Sequence, residues 1–149
     1  MAMDQLAQIQ SPVQQKRVQY RFFSQIMVID DDPELLEELE NFLSFNYDVE
    51  TLLDSTQAFD RVCDLMPDLI IMDMKMFPKT GFQLAYEFRN HEPTKTIPII
   101  AITGVFIEEE HALMMKLSGM KRIFIKPFNL NQLLSEIEKT IEESRPHLT

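Results

Sequence analysis

The chain has 149 residues, 45% of them hydrophobic, enough for one domain with a proper core and too few for two. Its net charge of −10 argues against an electrostatic grip on nucleic acid, which needs a basic face. The single cysteine rules out a disulfide framework and a cysteine metal site; no apolar run approaches the ~20 residues of a membrane span, and no signal-peptide core is evident, so a cytoplasmic protein without membrane or nucleic-acid contact is expected.

Residues 1–24 differ from the rest. They hold six glutamines and four charged residues, Asp4, Lys16, Arg17 and Arg21, for a net +2 against −12 in residues 25–149. With Pro12 interrupting any helix, the segment reads as a linker or tail with one helical turn near 13–20; the alternative is an extra helix that packs through Val18, Tyr20, Phe22 and Phe23. From Gln25 strand and helix alternate. Ile26 to Ile29 is an apolar strand ending in Asp30, Asp31 and Asp32. Asp32-Pro33 reads as cap and first residue of a helix with Leu35, Leu36, Leu39, Phe42 and Leu43 on one face. A strand over 48–52 follows. Ser55 is the expected cap of a second helix reaching Leu65, where Cys63 shares a core-facing stripe with Ala58, Phe59, Val62 and Met66, and Pro67 stops it.

Leu69 to Met72 run straight into Asp73, an unalternating apolar run suited to a strand covered on both faces. Pro78, Lys79, Thr80 and Gly81 are loop chemistry, and a third helix is expected from Gly81 to Asn90. A fourth strand over 97–102 ends at Thr103-Gly104. The fourth helix spans 108–117, with acidic residues at its start and Gly119 at its C-cap. Ile123 to Ile125 form a fifth strand ending at Lys126-Pro127. Asn129 with Gln132 resembles a capping box before the last helix, which carries Leu130, Leu133, Leu134, Ile137 and Ile141 to about Glu143; residues 144–149 read as a tail. The alternation predicts an α/β fold with a parallel sheet and helices on both faces, in one domain over 25–143.

In such a sheet the carboxyl ends of the strands share one rim, where ligands bind. Asp30, Asp31, Asp73, Thr103 and Lys126 would all converge there. Clustered carboxylates stay ionised only beside a cation, and an all-oxygen set suits a hard one, most plausibly Mg²⁺. A carboxylate beside Mg²⁺ and a lysine is arranged for phosphoryl transfer, with the carboxylate attacking phosphorus.

With IMVIDDDPE, PDLIIMDMKM followed by Gly81, PIIAITG and FIKPF in order, residues 25–143 resemble a response-regulator receiver domain of two-component signalling. The resemblance implies a doubly wound, flavodoxin-like sheet of five strands in the order 2-1-3-4-5, with five helices in three α/β/α layers. It implies that Asp73 is the phosphoacceptor, that Asp31 binds Mg²⁺ directly with Asp30 as its partner, and that the Lys75 backbone carbonyl completes the metal site. Thr103 would bond the phosphoryl group and draw the following loop inward, and Lys126 would pair with the phosphoryl oxygens. The Lys126-Pro127 bond would be cis. A histidine kinase or phosphotransfer protein would be the donor, and a downstream protein would bind the face of helix four, strand five and helix five. The domain would be a monomer or weak homodimer, with no DNA-binding segment after Glu143. Two positions depart from the family pattern. Phe77 stands where proline is common, with Pro78 next, and Ile123 stands where an aromatic switch residue is common. Strand alternation puts the neighbouring Phe124 on the opposite face.

Other readings are a receiver excised from a larger signalling protein and a receiver-like adaptor that takes no phosphoryl group. A phosphate-ester hydrolase is disfavoured, because the acid/base carboxylate such enzymes need two residues after the nucleophile is Lys75 here. His91, His111 and His147 show no metal-ligand spacing and read as surface residues.

Overall fold

The computed structural model describes residues 23–104 and 109–145. The helical turn expected at 13–20 lies outside them. Five parallel strands form one sheet in the order β2-β1-β3-β4-β5, namely β1 (Gln25–Ile29), β2 (Asp48–Leu52), β3 (Leu69–Asp73), β4 (Ile99–Thr103) and β5 (Met120–Ile125). Five α-helices connect and cover them: α1 (Pro33–Leu43), α2 (Ala58–Leu65), α3 (Gly81–Arg89), α4 (Glu109–Leu117) and α5 (Leu130–Ser144). The doubly wound order is the expected one. β1, β3 and β4 are buried along their whole length, which is why their sequences run apolar without alternation.

Helices cover both faces. α1 and α5 pack Leu36, Leu39, Leu43, Leu133, Ile137 and Ile141 against Ile26, Val28, Leu69, Ile71, Ile100 and Ile102. α2, α3 and α4 cover the other face with Val62, Leu84, Phe88 and Met115 over Met27, Ile70, Met72, Ile99 and Ala101. As alternation requires, Ile123 packs with the second set and Phe124 with the first.

Several boundaries differ from the sequence reading, each for a local reason. Ser55 does not cap α2. Asp54 caps a 3₁₀ turn over Ser55–Gln57, accepting from the Thr56 amide at 2.9 Å, and α2 begins only at Ala58. Ser55 is buried instead. Strand β4 starts at Ile99, because the Ile97 amide turns back to the Thr94 carbonyl at 3.1 Å. β5 starts earlier than expected, at Met120. The register jumps from Ile99–Met120 to Ile100–Arg122, so Lys121 is an extra residue that breaks the alternation a sequence reading relies on. Cys63 is half-buried rather than core, its thiol pushed up by burial and by the neighbouring Asp60 and Asp64. His91 is also half-buried, edge-on to Phe59 with ring centroids 5.2 Å apart.

The expected caps are present elsewhere. Asp32 accepts from the Glu34 amide at 3.0 Å, and Asn129 accepts from the Gln132 amide at 3.0 Å. Thr80 and Gln83 form a full capping box at the head of α3. Gly119 has φ +77°, and the Arg89 guanidinium donates to the Ser118, Gly119 and Lys95 carbonyls across it. Helix α2 ends on Met66 in the left-handed conformation, with Pro67 following. No helix among the described residues is long and apolar enough to cross a membrane.

Candidate functional site on the carboxyl rim

The residues singled out in the sequence come from four strand ends. β1 delivers Asp30 and Asp31, β3 delivers Asp73, β4 delivers Thr103, and the turn after β5 delivers Lys126. β1, β3, β4 and β5 are consecutive neighbours in the sheet, so these ends are adjacent. Carboxylate oxygens of Asp30, Asp31 and Asp73 lie within 4.8 Å of one another. Asp30 and Asp73 are buried and Asp31 is exposed, so the cluster has one side open to solvent.

Lys126 reaches into this cluster from the end of the edge strand β5. Its Nζ donates to Asp30 Oδ2 at 2.9 Å and to Asp73 Oδ2 at 3.2 Å. Backbone amides hold the remaining oxygens of the two buried carboxylates. The Asp32 amide donates to Asp30 Oδ1 at 2.9 Å, and the Lys75 amide to Asp73 Oδ1 at 3.0 Å. Burial pushes the Asp30 carboxyl above the ordinary carboxylate range; the bonds from Lys126 and the Asp32 amide pull it back, and the Asp73 charge pushes it up again. Burial alone would lower the Lys126 ammonium, but the hydrogen bond and charge of Asp30, then those of Asp73, hold it above its usual value. One lysine thus serves two buried carboxylates, and a third carboxylate stands beside them.

Thr103 is buried at the end of β4, its carbonyl accepting from the Lys126 amide at 2.7 Å. That bond sets the lysine's start point beside the hydroxyl residue. The segment after Gly104 that Thr103 is expected to draw inward, 105–108, lies outside the described residues. The side chain of Lys75 is exposed. The Lys126-Pro127 bond is cis, as is Phe77-Pro78. Beside Lys126 a groove of about 430 Å³ opens between the start of α1 and the β5–α5 turn, lined by Asp32, Glu34, Glu38, Pro127, Phe128 and Leu130.

Two supporting residues escaped the sequence reading in these roles. Ser55 Oγ accepts from the Lys79 amide at 3.0 Å, tying the turn after β2 to the loop that follows Asp73. No sequence signal predicts a contact across 24 positions. Gly81 donates its amide to the Met74 carbonyl at 3.2 Å, and a Cβ there would stand 2.5 Å from the Asp73 carbonyl oxygen. Its place after the PDLIIMDMKM motif was the visible signal; the reason is this close approach of helix to strand. With Met74 and Met76 buried, the same loop holds Phe77 outward, 83% exposed.

A doubly wound parallel sheet with an acidic cluster and a lysine on its carboxyl rim defines a class of signalling module. The chain matches the family model of the response regulator receiver domain over residues 26–138, and it belongs to that family. Response regulator MprA of Mycobacterium avium (strain 104) is 29% identical over 122 residues, covering 81% of this chain and 52% of that protein. The MprA of Mycobacterium tuberculosis matches to the same extent. The chain therefore spans about half the length of the curated relatives it matches. Among solved structures, the chemotaxis protein CheY4 of Vibrio cholerae superposes with a TM-score of 0.74 at 26% identity, covering 79% of this chain and 98% of that one. A two-component response regulator from Clostridium difficile shares the fold, with a TM-score of 0.75 at 23% identity over 83% and 99% of the two chains. Receiver domains are signalling phosphoacceptors and are not generally classed as enzymes.

Proposed function

We propose that this receiver domain takes a phosphoryl group onto Asp73 and uses it to switch a protein-binding face. The observation that carries the reading is the convergence on the carboxyl rim of the Asp30, Asp31 and Asp73 carboxylates, within 4.8 Å of one another, with Lys126 bonded to Asp30 and Asp73. The donor is a phosphohistidine of a histidine kinase or phosphotransfer protein. An Asp73 carboxylate oxygen attacks phosphorus, the P–N bond breaks, and its electron pair returns to the imidazole nitrogen. An aspartyl phosphate, a mixed anhydride, remains.

Each neighbour then has a task. Lys126, already 3.2 Å from Asp73 Oδ2, moves its charge onto the phosphoryl oxygens. Thr103 donates its hydroxyl to the same group. Asp30, Asp31, Asp73 and the Lys75 carbonyl would hold Mg²⁺, whose fit rests on the hard, all-oxygen donor set and on a carboxylate charge that one lysine does not balance. Bound there, the ion would supply charge neutralisation at phosphorus. Output runs through the face of α4, β5 and α5 to a downstream protein, in the cytoplasm, with the domain a monomer or weak homodimer.

Intact mass after incubation with acetyl phosphate tests the reading. One phosphoryl adduct that requires Mg²⁺ and is absent in Asp73→Asn is the expected result. Equal uptake by Asp73→Asn would sink it.

A further inference from the structure

The two cores of this domain are made of different material. Met27, Met72, Met74, Met76, Met115 and Met120 are all buried, and all belong to the cluster beneath α2, α3 and α4. Among the described residues, the buried cluster beneath α1 and α5 contains no methionine; its members are isoleucine, leucine and valine. Methionine has an unbranched, three-torsion side chain that refills changed space at little cost. β-branched residues have one stiff χ1 and resist such change.

The methionine side is also where the phosphoryl-sensing hydroxyl leads. Alternation along β4 puts Thr103 on the side of Ile99 and Ala101, which face the methionine layer, whereas Asp73 shares the side of Leu69 and Ile71. Met74 joins acceptor to helix. Its amide bonds the Ile102 carbonyl, its carbonyl takes the Gly81 amide, and its sulfur lies 2.8 Å from where a Gly81 Cβ would stand. At the far end, Met115 of α4 is fully buried, whereas Leu113, Met114 and Leu117 of the same helix are exposed. Met120 and Ile123 complete the contact from β5.

We propose that this methionine layer is the mobile half of the switch: phosphorylation of Asp73 reaches α4 by collective repacking of Met74, Met76, Met115 and Met120, while the aliphatic layer stays fixed. The layer takes the place of a single aromatic rotamer at position 123, where this chain has isoleucine. The proposal rests on the reading of Asp73 as phosphoacceptor.

The test uses the full chain labelled at its methionine methyl carbons and at leucine and isoleucine methyls. Beryllofluoride with Mg²⁺ mimics the phosphoryl group, and the bound ¹⁹F signal reports its occupancy independently. Met74 and Met76 adjoin the acceptor and will respond to any ligand, so the decisive probes are Met115 and Met120. Their methyl shifts are expected to exceed those of Leu133 and Ile137 by roughly threefold or more, as a soft layer against a stiff one requires. In Met115→Leu, bound ¹⁹F signal is expected to be unchanged and the activation shifts of the α4 amides Leu113 and Leu117 to fall by about half, because leucine keeps the volume and loses the flexibility. Bound beryllofluoride with Met115 and Met120 unmoved, or a full α4 response in Met115→Leu, overturns the relay alone. Absence of bound ¹⁹F signal in the parent overturns the phosphoacceptor reading and the relay together.

Discussion

The two faces of the sheet are packed with different side chains and solve different problems. Beneath α1 and α5 the core is β-branched and leucine-rich, and both helices show a wide apolar stripe. Beneath α2, α3 and α4 it is rich in methionine, and among the described residues α4 contributes Met115 to it. The charged site sits at the seam, with Asp73 on the side of the aliphatic layer and Thr103 on the side of the methionine layer. A switch needs a fixed reference as well as a moving part. The aliphatic side supplies stiffness, and the methionine side supplies repacking at low cost.

The contrast can be broken by truncation. Leu39→Ala, in the aliphatic layer and fully buried, is expected to destabilise the domain by about 2–5 kcal/mol, read from the urea midpoint at constant m-value. A loss under about 1 kcal/mol would show that this layer collapses around cavities and is not the stiff one. Next in size is Gly81→Ala. Its Cβ would meet the Asp73 carbonyl and the Met74 Cα, both backbone, so α3 must shift away from the acceptor. Overpacking of this kind costs about 1–3 kcal/mol, and slower uptake from acetyl phosphate is expected with it. Normal stability and normal uptake would mean that the helix–strand approach is looser than its geometry.

Volume-conserving swaps sharpen the contrast further. Met72→Leu is expected to cost under about 1.5 kcal/mol, a smaller loss than the aliphatic truncation produces. A cost equal to that of Leu39→Ala would remove the distinction between the layers. The smallest effect is at Ser55. Ser55→Ala leaves the Lys79 amide without its partner, an expected loss of about 1 kcal/mol. Because that bond anchors the loop after Asp73, weaker Mg²⁺ binding measured by titration should accompany it. Unchanged Mg²⁺ affinity would confine Ser55 to a purely structural role.

Much of this was legible in the chain itself. Uninterrupted apolar runs at 26–29 and 69–72 indicated strands buried on both faces, and the aspartates closing them, with Lys126 closing the strand at 123–125, indicated the rim. Asp32, Asn129 and Gly119 marked helix ends because capping is a local bond, made within a few residues and so written in short sequence patterns. Contacts made across the fold were not legible. Ser55 read as a cap because a serine before a helix usually is one; its bond to Lys79 exists only once β2 and β3 lie on either side of β1. The bulge at Lys121 hid the true start of β5, since it shifts the alternation on which strand reading depends. The outward pose of Phe77 follows from the inward anchoring of Met74 and Met76. The segregation of methionine to one face needed the sheet as well. Period-two alternation assigns each strand two sides, but only packed helices decide which sides join into one core. Sequence alone determined the order of the strands, the caps at Asp32 and Asn129 and the candidate residues at the strand ends, because those are set by neighbours along the chain. Tertiary structure decided which charges Lys126 meets, what Gly81 touches and which core is soft, because those depend on groups that folding brings together.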